Sequence, residues 1–386
     1  MDDSRDWPFV NCTMCNMSTW NDTYNITDGP NLDPGIDEEI TNLSPSLVVL
    51  LSFLMILMIL ITVLGNSIVC LIVFQKPVMR SAINLLLANM AAADILVGVL
   101  SMPFTLIALI AGDWLLGTVF CQIHAFLYTV CVIEGILILV TISVDRYMII
   151  VRRKDKLNTT RAKVLIAVTW IFSIVVCFPP LVGWGHLQYL PGQAQCRLVS
   201  TGPADMVYSL LLVLVQFFLP FFAMLYSFMC IISTVRKNSM RIMNQPECLA
   251  VTQSSRLGLQ VVQARARKLN VDMSFKTRAF TTIFVLFIIY VLCWAPYAVV
   301  EVVHASWVNA KQALGMVTFD SIVLWISYLN SAINPMVYCW RIKKFREAVR
   351  ELMPSLKFLP KLPGRVHRRI RPGAMYECNA SETSTV

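Results

Sequence analysis

Four ionisable residues sit where an apolar chain has least use for them. Asp94, Glu134 and the adjacent pair Asp145-Arg146 lie inside runs that are otherwise almost free of charge. A charge within hydrocarbon costs roughly 2.5 to 3.5 kcal/mol even on the lenient insertion scale, so such residues are functional candidates by default. Asp145 beside Arg146 has the chemistry of a breakable ion pair. Its other reading is a pair of interfacial side chains snorkelling to water at a helix end. Glu134 stands mid-run beside Gly135 and reads as a side chain hydrogen-bonded to a neighbouring helix. Asp94 is alone and needs a cation or a proton close by. The remaining chemistry-bearing types converge on nothing. Of the His residues, His124, His186, His304 and His367, none is spaced as a metal site, and no nucleophile-base pair stands out. No enzyme is expected.

The elements that must position these residues are apolar spans. The chain has 386 residues, 57% hydrophobic and only 14% charged, with a mean hydropathy of +0.65. Soluble domains carry about a quarter charged residues. Seven apolar spans are predicted at about 46–74, 82–110, 121–151, 164–184, 206–235, 279–303 and 321–340, each long enough as a helix to cross a bilayer. Pro220, Pro296 and Pro335 imply kinks in the last three. The net charge of +9 does not point to nucleic acid, because Lys and Arg gather in the segments after spans one, three and five and in the tail. That is the positive-inside pattern. It places the amino end outside and the carboxyl end in the cytosol of a multi-pass plasma-membrane protein. No signal peptide is evident, so the first span is expected to act as its own insertion signal.

Residues 1–44 hold nine acids against one base, and sequons at Asn11, Asn16, Asn21, Asn25 and Asn42. This segment reads as a glycosylated extracellular tail. Between spans five and six, residues 237–274 form a third intracellular loop. Residues 341–353 place Ile342, Phe345, Val349 and Leu352 on one face, the pattern of a short helix lying in the inner interface. Residues 354–386 form a cytoplasmic tail.

Taken in order, Gly65-Asn66, Asp94, Asp145-Arg146-Tyr147, Trp170, Pro220, Cys293-Trp294-Ala295-Pro296 and Asn334-Pro335-Met336-Val337-Tyr338 resemble the rhodopsin-like (class A) G-protein-coupled receptors. The resemblance covers about 45–353. The runs at 79–84, 274–280 and 340–345 are similar to a pair of orphan receptors in that family, numbered forty-five and sixty-three. The fold expected is an all-α membrane protein, a seven-transmembrane helix bundle over 45–340 with a short interfacial eighth helix at 341–353. The function implied is transmission of an extracellular or constitutive signal to heterotrimeric G proteins. A membrane transporter or channel is the alternative; it would call for internal repeats and charges along a through-path.

The resemblance assigns roles residue by residue. Asp145 holds Arg146 at the cytoplasmic mouth until the helices part, with Tyr147, Trp294, Pro296, Asn334, Pro335 and Tyr338 in the activation machinery. Many relatives clamp that Arg with an acid at the start of span six. Here the position is Lys276, which would repel it, so raised basal activity is expected. Cys121 and Cys196 match the family's disulfide. Tyr128, Trp294 and Tyr328 are implied to line the ligand cavity, with Glu301 and Asp320 at its mouth. Tyr128 stands where amine receptors carry an Asp, which disfavours an amine bound that way. A neutral, aromatic cavity suits a lipid. Around Asp94, the residues Asn66, Asn330, Ser331 and Asn334 match a sodium-binding pocket, but Gly135 replaces its usual serine and removes one ligand. Phe228 and Tyr290 also depart from the residues common at their positions. The closing Ser384-Thr385-Val386 fits the pattern read by PDZ scaffolds, a pattern that three residues also match by chance.

Overall fold

The computed structural model describes residues 44–154, 157–190, 194–199, 202–243, 280–303 and 314–352. Among the described residues, seven helices are long and apolar enough to cross a membrane. They are α1 (Pro45–Gln75), α2 (Ala82–Ala111), α3 (Gly117–Ile150), α4 (Thr159–Cys177), α5 (Pro203–Asn238), α6 (Phe280–Val303) and α7 (Ser321–Arg341). A short helix, α8 (Lys343–Leu352), follows at once. The amino-terminal sequons, Lys276, His304, most of the 237–274 loop and the 354–386 tail lie outside the described residues, as does the side chain of Asp320.

Local chemistry sets the helix ends. Asn158 caps α4 by accepting from the Arg161 N–H at 2.8 Å, so this helix begins before the predicted 164. It ends at Cys177 rather than 184, because Pro179 and Pro180 offer no N–H to prolong it and the chain tightens into a 3-10 turn at Pro179–Val182. α2 is broken at Ser101, whose backbone departs from helical angles, and restarts as Met102–Ala111. Pro103 lies in the first turn of the restarted segment, where a missing N–H is tolerated. In α5, a π-turn at Leu214–Phe218 precedes Pro220. These two breaks give α2 and α5 free backbone groups that other helices can meet.

The bundle packs around α3. The largest fully buried side chains are aromatic: Tyr290, Tyr328, Tyr338, Phe228 and Phe345. Residues such as Val49, Phe53, Val168 and Ile171 leave α1 and α4 with broad exposed apolar faces, as expected of helices that meet lipid. At one end, α8 lies against α1 and α7 with Phe345 and Val349 buried, and Lys76 pairs with Glu351. At the opposite end, strands β1 (His186–Leu190) and β2 (Gln195–Val199) form an antiparallel hairpin with Tyr189 opposite Cys196. Cys196 is joined to Cys121 of α3, with Cα atoms 5.4 Å apart. The sequence reading contained no strand. Its signals are two short runs on either side of the Pro191-Gly192 pair.

Candidate functional site

At the α8 end, Arg146 grips its neighbour. Its Nη2 and Nε donate to Asp145 Oδ2 at 2.5 and 3.1 Å. The side chain of Asp145 is 6% exposed and that of Arg146 19%, so the pair is partly withdrawn from solvent and stronger for it. Tyr147 lies tilted against Tyr226, centroids 6.0 Å apart, and accepts from Arg152 Nε at 3.1 Å. Phe228 is fully buried among Phe280, Phe284 and Phe287 of α6. It supplies α5 with an apolar contact to α6 and no hydroxyl to reach Arg146.

Mid-bundle, α7 carries Asn334, Pro335 and Tyr338. Asn334 Nδ2 donates to Asp94 Oδ2 at 2.9 Å. Asn66 donates to the carbonyls of Thr62 and Ser331 at 2.9 and 3.1 Å. A small cavity opens beside them, lined by Asp94, Asn330, Ser331, Gly135, Tyr290 and Trp294. Its oxygen donors suit a hard cation, and Gly135 contributes none. Tyr338 is buried with its hydroxyl 3.5 Å from the sulfur of Met90, and its ring lies 6.1 Å from Phe345 of α8. Pro335 abuts Gly65 of α1. Pro296 is half-buried in α6.

Glu134 is fully buried between three helices. Its Oε1 accepts from Asn89 Nδ2 of α2 at 2.7 Å and from Thr169 Oγ1 of α4 at 3.0 Å. Asn89 in turn accepts from Trp170 Nε1 at 3.0 Å. This is the neighbour-helix bonding that the sequence suggested, and it explains why Trp170 stands alone in an exposed helix.

The hairpin end holds a second, larger cavity. Tyr128 and Glu301 line it, together with Tyr297, Gln216 and apolar groups including Phe126, Leu187, Leu198 and Leu212. Trp294 borders the smaller cavity instead, one helical turn deeper. Tyr328 is tied up beside the larger cavity, its ring 5.4 Å from Tyr128. Its hydroxyl lies 2.8 Å from Ser101 Oγ and 2.9 Å from Thr105 Oγ1, and accepts from Gln195 Nε2 at 3.0 Å. His124 Nε2 meets Ser101 Oγ at 3.2 Å. The broken α2 therefore offers Ser101 and Thr105 inward to α3 and α7.

Two residues apart on β2, Gln195 and Arg197 both reach into the bundle, while Cys196 between them holds the strand to α3. Arg197 pairs with Glu301 of α6 and its guanidinium sits 4.9 Å above the ring of Tyr297. Outside the spans, burial and the nearby charge of Asp113 push the Tyr189 phenol up to about 12, so this hydroxyl stays neutral at any physiological pH. Sequence reasoning passed over Ser101, Thr105, Gln195 and Arg197. Pro103 was the available signal for the first two, and adjacency to Cys196 for the others.

Seven membrane-length helices, a hairpin bonded to α3 over one mouth, an Asp-Arg pair at the other and a short helix after α7 define a seven-helix membrane receptor. The chain belongs to the rhodopsin family of 7 transmembrane receptors, which it matches over residues 65–338. It is 49% identical over 343 residues to a protein of Xenopus laevis called high-affinity lysophosphatidic acid receptor, covering 88% of this chain and 92% of that one. It is 45% identical over 355 residues to mouse (Mus musculus) probable G-protein coupled receptor 45, covering 92% and 94%. It is 46% identical over 344 residues to human probable G-protein coupled receptor 63, covering 89% and 82%. Squid rhodopsin shares the fold, with a TM-score of 0.72 at 20% identity over 83% of this chain and 89% of that one. The protein is a class A G-protein-coupled receptor, neither a transporter nor an enzyme.

Proposed function

We propose that this receptor answers an anionic lipid of the lysophosphatidic acid class, taken up in the cavity beneath the hairpin, and signals through Arg146. One observation carries the reading: a single enclosed guanidinium, Arg197, paired with Glu301, borders a cavity whose other lining residues are largely apolar and aromatic. Arg binds phosphate through a planar fork of donors, and the apolar walls suit an acyl chain. The relative named for lysophosphatidic acid supports the same class of ligand.

The hairpin end then faces outward and the α8 end the cytosol, in keeping with the basic segments beside α8. In the resting bundle Asp145 holds Arg146. Ligand binding favours the arrangement in which α6 moves from α3, and Arg146 is freed for the G protein. A sodium ion beside Asp94 would be held by Asp94, Ser331 and Asn330, supplying the countercharge that a buried carboxylate needs. The tail Ser384-Thr385-Val386 is a candidate PDZ ligand, and the sequons at Asn11, Asn16, Asn21, Asn25 and Asn42 are candidate glycan sites.

The test is the response of cells expressing the receptor, at matched surface levels, to 1-oleoyl lysophosphatidic acid, read as cyclic AMP and inositol phosphate. Wild type should respond. Arg197→Ala should lose at least about ten-fold in potency, the loss that one charge-assisted contact brings. A wild type that stays silent to this lipid would sink the ligand assignment.

A further inference from the structure

The larger cavity already contains an anion of its own. Glu301, one of the two charged residues on its wall, is bound to the other, Arg197. Their side chains are 15% and 9% exposed. An enclosed guanidinium without countercharge is strongly unfavourable, and here the countercharge comes from a different element, α6 rather than β2. Arg197 does not depend on Glu301 for its place. Cys196 beside it is fixed to α3, and the Tyr297 ring supports its guanidinium from below.

We propose that Glu301 is an internal competitor for the anion-binding face of Arg197, and that it sets how strong an anion must be to enter this site. The inference rests on the reading of the cavity as a site for phosphate-bearing lipids. A ligand's head group must displace a carboxylate that is tethered to the same molecule, at an effective concentration in the millimolar range or above. A fatty-acid carboxylate offers no more than the group it displaces, and leaves Glu301 stranded at the mouth. A phosphomonoester carries a charge of about −1.5 to −2 and three strong acceptor oxygens, so it can replace Glu301 with net gain. The exchange also cuts the tie between β2 and α6, which makes head-group recognition the step that releases α6 on the ligand side.

The experiment compares full-length wild type, Glu301→Gln, Glu301→Asp and the double variant Arg197→Ala/Glu301→Gln at equal surface levels. The probes are 1-oleoyl lysophosphatidic acid, oleic acid and neutral monooleoylglycerol. Glu301→Gln should raise the potency of both acids by about ten-fold or more and leave monooleoylglycerol unchanged. Glu301→Asp, which keeps the competing charge, should stay close to wild type, and the double variant should lose the gain. Equal or weaker potency of the acids on Glu301→Gln overturns the inference; the weaker result would make Glu301 a ligand contact or a support for Arg197. If wild type responds to lysophosphatidic acid while Glu301→Gln brings no gain, the competitor fails and the lipid assignment stands. If wild type is silent and Glu301→Gln answers both acids, the competitor stands and the assignment of the native ligand fails. Silence of both receptors to every probe overturns both.

Discussion

A proline inside a membrane helix leaves the carbonyl four residues earlier without its donor. In α5 the proline is Pro220 and the carbonyl that of Gln216. Tyr290 of α6 brings its hydroxyl within 3.0 Å of that oxygen and of the Phe217 carbonyl. In hydrocarbon no water can do this instead, which gives the Tyr290 hydroxyl its structural role. Tyr290→Phe keeps the ring stacked near Phe217 and deletes only the donor. It should destabilise the purified receptor by about 0.6 to 2 kcal/mol, the range for polar contacts within bundles, read as a lower thermal midpoint in detergent. An unchanged midpoint would mean that the carbonyls find another donor. Asn89 is a second such junction, donating to Glu134 and accepting from Trp170. Asn89→Leu orphans the Trp170 N–H and leaves Glu134 with Thr169 alone, and should cost about 1 to 3 kcal/mol in the same assay. A loss no larger than that of Tyr290→Phe would argue that Thr169 alone satisfies Glu134.

Between elements, α1 comes close to α7 at Gly65. A Cβ added at Gly65 would sit 2.7 Å from Cγ of Pro335, a ring that has no rotamer to retreat into. Gly65→Ala must therefore push α1 away from α7 at the level of Asn334, with a cost of about 1 to 3 kcal/mol, as for other overpacked cores. Gly135→Ala is the matched control. Nothing lies within 4 Å of its added Cβ, and the gain in helix propensity should stabilise α3 by up to about 1 kcal/mol. Thermal midpoints moving in opposite directions would confirm the contrast; equal losses would refute it. These two glycines also mark how far the sequence can be read. Hydropathy reveals that seven helices exist, and an acid in an apolar run reveals that Asp94, Glu134 and Asp145 need partners. Neither signal tells which glycine meets a neighbour, because that depends on how two helices rotate against each other. Pro103 could have revealed the break in α2, and with it Ser101 and Thr105. Arg197 was hidden for another reason: a charged loop residue ordinarily faces water, and only the disulfide at Cys196 turns this one inward.

Across the whole molecule the two mouths are linked by α3, whose 34 residues span about 51 Å at 1.5 Å per residue. Cys121 anchors the hairpin at one end and Asp145 holds Arg146 at the other. Such a rigid rod does not itself switch. The switch needs an element that is tied to α3 differently in two states, and α6 has the right ties: Glu301 to β2 at the ligand end, Tyr290 to α5 midway, and aromatic packing on Phe228 near the Arg146 end. Many members of the family clamp this Arg with an acid at the start of the sixth span; by resemblance that position is Lys276, which would repel a guanidinium where an acid would attract it. A bundle lacking that attraction should occupy the signalling arrangement more often without ligand. Cells expressing wild type should therefore show basal second-messenger output, and Arg146→Ala should abolish it. Lys276→Glu should lower it about two- to five-fold, as a partly exposed ion pair of roughly 0.5 to 1 kcal/mol would. At matched surface levels, Lys276→Glu output equal to wild type would show that the resting state is held elsewhere, with the outer tie between Arg197 and Glu301 as the place to look.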